Sequence, residues 1–246
     1  MQQLRWLGLM LALGLLAGGA LAIEPEAYEA VRAAQAYRAQ GEPVRPAPDG
    51  TFFCEAEEFQ VVPGAPGWQA KPWGENYYAA TFANTFLSRK AFLGASAQCP
   101  ETRATMDIEV AEAGNYLVLA RYEAAYRFQT QFRIQITQNN QVVFDRGYGA
   151  RENLKIWAFG QKRPVAEVAW SWGAVENVVW EGYLGDGLNT YAALQPGRAT
   201  IILIAGPQPE DAAKRNVDLV MLTQDEEQVK GRVLEEGSLP MDGWLT

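Results

Sequence analysis

Between Phe128 and Ile136 apolar and polar positions alternate, with Phe128, Thr130, Phe132, Ile134 and Ile136 on one side and Gln129, Gln131, Arg133 and Gln135 on the other. A period of two is that of a strand with one buried and one wet face. Gln138-Asn139-Asn140-Gln141 then leads into Val142-Val143-Phe144. Asparagine is one of the few residues that tolerates the left-handed backbone of a tight turn, so the pair is predicted to be a β-hairpin. Further strands are predicted over Phe52 to Phe59, Ala104 to Val110, Asn115 to Ala124, Val165 to Trp172, Asn177 to Tyr183, Ala199 to Ala205 and Val217 to Thr223, separated by Gly, Pro and Asn turns. Many short strands without interleaved helices predict an all-β, antiparallel sandwich or barrel.

Helical spacing occurs near the start. Ala27, Tyr28, Val31 and Ala34 recur among good helix formers from Glu24 to Gln40, and Gly41 and Pro43 close the segment. Glu42 to Gly50, with Pro43, Pro46 and Pro48, reads as a linker. Residues 23–50 are therefore predicted to be a short helix and linker, 51–225 the β domain, and 226–246 a charged tail. Residues 1–22 have the pattern of a signal peptide: a basic start from Met1 to Arg5, an apolar run from Trp6 to Gly19 and the small-x-small triplet Ala20-Leu21-Ala22. That pattern predicts export to the periplasm or the outside of the cell, with no membrane insertion after cleavage.

Composition narrows the chemistry. The chain of 246 residues has a formal net charge of −8, and its Lys and Arg are scattered, which disfavours nucleic acid and anionic lipid as partners. It has no histidine, so Ser-His-Asp, Cys-His and His-rich zinc chemistries are excluded. A bound metal would be a hard, oxygen-ligated cation such as calcium. Cys54 and Cys99 are the two cysteines, and in an oxidising compartment they are predicted to form a disulfide. Closing a loop of that length would contribute about 4 kcal/mol.

Glu55-Ala56-Glu57-Glu58-Phe59, Ala113-Gly114-Asn115-Tyr116 through Arg121-Tyr122, and Leu194 to Ile201 followed by Asn216-Val217-Asp218-Leu219-Val220 occur in that order over about 170 residues. Together they resemble the calcium-binding jelly-roll modules of carbohydrate-binding families six and thirty-five, which share a galactose-binding-like fold. The resemblance implies a jelly-roll sandwich, a structural calcium held by Glu55, Glu57 and Asp218, and a ligand contact at Asn216. The alternative for these acids is pairing with Arg121 or Arg215, or simple solvation. The stretch from Tyr148 to Gly185 departs from the usual short module.

Sugar recognition needs flat aromatic faces ringed by planar polar groups. Candidates are Trp73, Tyr77 and Tyr78 with Glu75 and Asn76; Tyr148, Arg151, Glu152 and Trp157 with Asn153; and Trp170, Trp172 and Trp180. The competing reading of each ring is core packing, strongest for the strand tryptophans, and Arg151 and Glu152 could form a surface ion pair. The expectation is a secreted, non-catalytic module that binds a polysaccharide or glycan. Two other classes stay open: a module that binds other surface proteins through the same loops, and a histidine-independent glycosidase or lyase using acids such as Glu152, Glu176, Glu181 and Asp186.

Overall fold

A computed structural model describes residues 41–72, 91–123, 130–149, 170–172, 175–182, 191–209, 212 and 214–229. All of them belong to one compact unit, Tyr37–Gly243. Among them are twelve strands: β1 (Phe52–Glu55), β2 (Gln69–Pro72), β3 (Ala91–Ala95), β4 (Thr102–Val110), β5 (Gly114–Glu123), β6 (Phe132–Gln138), β7 (Gln141–Tyr148), β8 (Trp170–Trp172), β9 (Val175–Glu181), β10 (Tyr191–Leu194), β11 (Gly197–Ala205) and β12 (Arg215–Thr223). A single helical turn, α1 (Glu226–Val229), follows, with Val229 buried. No helix among the described residues is long and apolar enough to cross a membrane.

The strands form two antiparallel sheets, as the alternation predicts. The smaller runs β4-β11-β6-β7. Its strands bury every second residue: Ala104, Met106, Ile108 and Val110 on β4, Phe132, Ile134 and Ile136 on β6, and Ala199, Ile201 and Leu203 on β11 face the core. The larger runs β2-β3-β12-β5-β9-β8, with β1 also pairing with β12 and β10 with β5. Its contribution to the shared core includes Phe52, Cys54, Leu93, Tyr116, Val118, Ala120, Tyr122, Val217, Val220 and Leu222. The two long central strands break the alternation. Every residue of β12 is buried, and so is β5 from Tyr116 to Glu123. A strand covered on both faces has no wet positions to alternate with, which is why Leu117-Val118-Leu119 and Leu219-Val220-Met221-Leu222 read as continuous apolar runs.

The hairpin forms at the predicted place, with Asn139 and Asn140 at φ 53° and 62°. The predicted strand over Phe52 to Phe59 is shorter. It stops at Glu55 and passes into a 3-10 turn, Ala56–Glu58, in which the Phe59 amide donates to the Ala56 carbonyl at 3.2 Å. The turn shifts the side-chain phase, so that Phe59 joins Phe52, Cys54 and Ala56 in the core; a continued strand would have sent it to the opposite face. β2, β3 and β10 carried no sequence signal strong enough to predict them. They are four or five residues long, and the first carries a lysine and a proline at the sheet's edge.

Two contacts lie outside the predicted strands. Val44, within the predicted linker, is buried and bridges Ile108: its amide donates to the Asp107 carbonyl and its carbonyl accepts from the Glu109 amide, both at 2.8 Å. The domain's pairing therefore begins upstream of Thr51. Trp68, in the loop before β2, is also buried, and its Nε1 donates to the Leu203 carbonyl at 3.0 Å, pinning that loop to β11.

Cys54 and Cys99 are both buried and are not joined in a disulfide, contrary to expectation. Cys54 lies in the middle of β1, whereas Cys99 sits beyond β3 with its Sγ 3.4 Å from Arg215 Nη1. The predicted helix within residues 23–50 and the tail beyond residue 229 lie outside the described residues.

Candidate functional site

Parts of the three segments that carry the resemblance, far apart in sequence, are hydrogen-bonded neighbours in the larger sheet, while Gly197–Ile201 lies on β11 of the smaller one. β12 lies between β1 and β5, with Glu55 opposite Leu219, Leu219 opposite Arg121, and Asn216 opposite Glu123. The register of β12 against β5 shifts between Val217 and Leu219, leaving Asp218 as the extra residue of a bulge. A bulge re-aims side chains locally. Asp218 Oδ2 accepts from Arg121 Nη1 at 2.5 Å. Two residues along β5, Glu123 Oε2 accepts from Asn216 Nδ2 at 2.5 Å.

These groups lie on the face of the large sheet opposite its core side. Tyr122, Ala120 and Val217 point into the core, so Arg121, Glu123 and Asn216 point the other way. Glu55, Arg121, Glu123, Asn216 and Asp218 are each at most 5 % exposed. Leu117, Leu119, Leu219, Met221 and Phe92 are buried beside them without belonging to the core cluster. The result is a row of charged and amide groups set into an apolar sheet face. Within this row Arg121 and Asp218 form a buried ion pair, and removing one partner of such a pair costs roughly 3–5 kcal/mol. Arg121 Nε and Nη2 make no hydrogen bond among the described residues.

Of the three acids expected to hold calcium, Asp218 is engaged by Arg121, the first of the two pairings open in the sequence. Among the described residues no three of His, Cys, Asp and Glu gather into a group that could hold a metal. The guanidinium of Arg121 supplies the positive charge beside Asp218.

Of the ligand candidates, Tyr148 and Asn216 have described side chains, and both are buried. Tyr148 corrects the expectation of an exposed platform. Its ring stacks on Phe132 with centroids 5.7 Å apart, Arg146 lies 4.9 Å from its centroid, and its hydroxyl donates to the Val118 carbonyl at 3.0 Å. Burial pushes the phenol's pKa up, so the hydroxyl stays protonated as a donor between the sheets. Asn216 is committed to Glu123. Trp73, Tyr77, Tyr78, Arg151, Glu152 and Trp157 lie outside the described residues, as do Glu75, Asn76, Asn153 and Asp186. Trp170 and Trp180 are register partners on β8 and β9.

Glu181, one of the acids considered for catalysis, serves the fold. Its Oε2 accepts from the Tyr122 hydroxyl and the Gly149 amide, both at 2.8 Å, and Arg146 Nη2 stands 3.8 Å from Oε1. The carboxylate thus ties β5 and β9 of one sheet to the end of β7 in the other. Gly182 follows at φ 134°, where a Cβ would sit 2.2 Å from the Val118 carbonyl oxygen, so only glycine fits there.

Sequence reasoning did not single out Glu123 or the pairing of Asn216 with it. The available signal was a polar pair, Arg121 and Glu123, at period two inside an otherwise apolar run.

No protein-family model matches the chain, and no curated protein does. Solved structures do. The isomalto-dextranase of Arthrobacter globiformis T6, complexed with panose, is 13 % identical with a TM-score of 0.43, covering 72 % of this chain and 24 % of that one. A family 35 carbohydrate-binding module from Clostridium thermocellum is 14 % identical with a TM-score of 0.41, covering 70 % and 96 %. The C-terminal family 6 module of a laminarinase from Zobellia galactanivorans is 14 % identical with a TM-score of 0.38, covering 71 % and 99 %. This chain spans about a quarter of the isomalto-dextranase. These likenesses are remote; the two-sheet sandwich stands on the strand pairing of the chain itself.

Proposed function

We propose that the chain is a secreted, non-catalytic carbohydrate-binding module. The observation that supports this most is the adjacency of β1, β12 and β5: Glu55, Asn216–Val220 and Asn115–Tyr122, parts of the stretches resembling such modules, lie side by side in one sheet, in the register that brings Glu55, Asp218, Arg121, Glu123 and Asn216 to one face. Its ligand is a polysaccharide or glycan. Recognition runs through aromatic stacking and hydrogen bonds in a largely preformed cleft. Trp73, Tyr77, Tyr78 and Trp157 supply rings and Arg151 and Glu152 polar contacts, and Asn216 is held in place by Glu123. Export follows from the leader pattern of residues 1–22. Glu181 gives a hydrolytic reading no support, because its carboxylate is buried and fastens the sheets together.

The test is affinity electrophoresis through gels containing soluble polysaccharides, comparing the chain with Trp73→Ala and Trp157→Ala. Retardation by one polysaccharide class, reduced at least tenfold in affinity in either variant while its melt stays within a few degrees, supports the reading. Retardation that both substitutions leave unchanged removes these rings from the site, and no retardation in any gel contradicts the function.

A further inference from the structure

The side chain of Arg215 is 2 % exposed and gathers acceptors from three separate connections of the sandwich. Nη1 donates to the Ser96 carbonyl at 2.7 Å and to Cys99 Sγ at 3.4 Å, both in the connection from β3 to β4. Nε donates to the Gln131 carbonyl, just before β6, and Nη2 to the Gly206 carbonyl, just after β11. A set of glutamines ties the same segments again. Gln98 Nε2 donates to the Gln208 carbonyl at 2.7 Å, the Gln208 amide to the Ala97 carbonyl at 3.1 Å, and the Gln131 amide to Gln208 Oε1 at 2.5 Å. The next residue of β12, Asn216, holds Glu123 at the end of β5. Residues 215 and 216 thus fasten the chain on both sides of the 124–129 segment.

The chemistry fits this use of arginine. Its planar guanidinium presents five N–H donors in a fixed fork, so one side chain can serve diverging carbonyls, whereas the compact ammonium of lysine is a point charge on a flexible stem. Among the described residues the acceptors are main-chain carbonyls and a thiol, so what is fixed is the backbone at Ser96, Gln131 and Gly206 and the side chain of Cys99.

We propose that Arg215 is a positioning residue that holds Ser96, Cys99, Gln131 and Gly206 as one rigid rim beside Asn216, and thereby preorganises this end of the sandwich for glycan binding. The first half stands on the geometry alone; the second rests on the carbohydrate-binding reading. Connections that are already fixed lose less freedom when a ligand binds, so releasing them lowers affinity even where no contact is lost.

The test compares the chain with Arg215→Ala and Arg215→Lys, each with and without millimolar guanidinium chloride, far below denaturing levels. Two quantities are read: amide exchange at Cys99, Gln131 and Gln208, and affinity for whichever polysaccharide retains the unaltered chain. Exchange at these three amides should rise at least tenfold in Arg215→Ala and return towards normal when guanidinium fills the vacated fork; ammonium should have no such effect. Affinity should fall about tenfold and recover with the same guanidinium dependence. Arg215→Lys keeps the charge and should show the same loss, which also provides the measurement if the alanine variant does not fold. Unchanged exchange at the three amides overturns the rim. Acceleration spread evenly through β4, β6 and β11 overturns it as well, since that is a general loss of stability. Faster exchange with unchanged affinity overturns the binding half. If the unaltered chain binds no polysaccharide, the carbohydrate reading fails, while the exchange result still decides the rim.

Discussion

At Tyr148 one side chain answers to two chemistries. A tyrosine in a stretch rich in aromatic and charged residues suits a sugar platform, but its ring stacks on Phe132 and its hydroxyl serves the Val118 carbonyl. Tyr148→Phe should cost about 1 kcal/mol, since it removes one neutral hydrogen bond between the sheets. Tyr148→Ala should cost roughly 3–5 kcal/mol through the cavity it leaves. Urea unfolding measures both; a melt unmoved by Tyr148→Ala would return the ring to the surface. Burial was not legible here because an aromatic at a strand end looks the same in either setting. On the outer face of the small sheet, Arg133 donates to both oxygens of Asp145, which it holds below the usual value of 3.8 for its carboxyl. A carboxyl depressed in the folded state contributes stability in full above its unfolded value, and loses it as the pH falls through the folded one. The contribution of Asp145 is therefore complete at neutral pH and fades only below 3.8. In Arg133→Gln the Asp145 carboxyl should titrate higher by NMR; an unshifted titration would show that Arg133 is not the cause.

At the scale of the element, legibility followed burial pattern. β4, β6 and β11 have one wet face, and their alternation located each to within a few residues. The hairpin was legible because Asn139 and Asn140 have a local backbone reason to be there. β5 and β12 were visible as apolar runs, but their second buried face was not, because period two carries no information once both faces are covered. The bulge at Asp218 was hidden for the same reason: a register shift depends on the partner strand. It matters because it sets the carboxylate against Arg121. If that guanidinium supplies the positive charge the acids need, thermal melts in chelator and in added calcium should coincide. A melting temperature that rises on adding calcium and falls with chelator would show that an ion is part of the native site.

For the whole molecule, the class of fold could be read from the sequence. Short strands with no helices between them pointed to a sandwich, and the two antiparallel sheets are that sandwich. Val44, inside a proline-rich stretch, nonetheless pairs with β4, because its single bridge depends on a distant strand rather than on its own neighbours. The disulfide was inferred from compartment and count, neither of which says how two buried side chains are placed. Of the candidate residues named from the sequence, the sheet brings Asp218 and Asn216 onto one face. That they are already paired with Arg121 and with Glu123 needed the register of β12 against β5. The central claim, a sandwich that holds a glycan without transforming it, is tested most directly by incubating the chain with a panel of soluble and insoluble polysaccharides, measuring retention and assaying the supernatants for released sugar. The account predicts retention on one class with no product; released sugar, or no retention on any member of the panel, would contradict it.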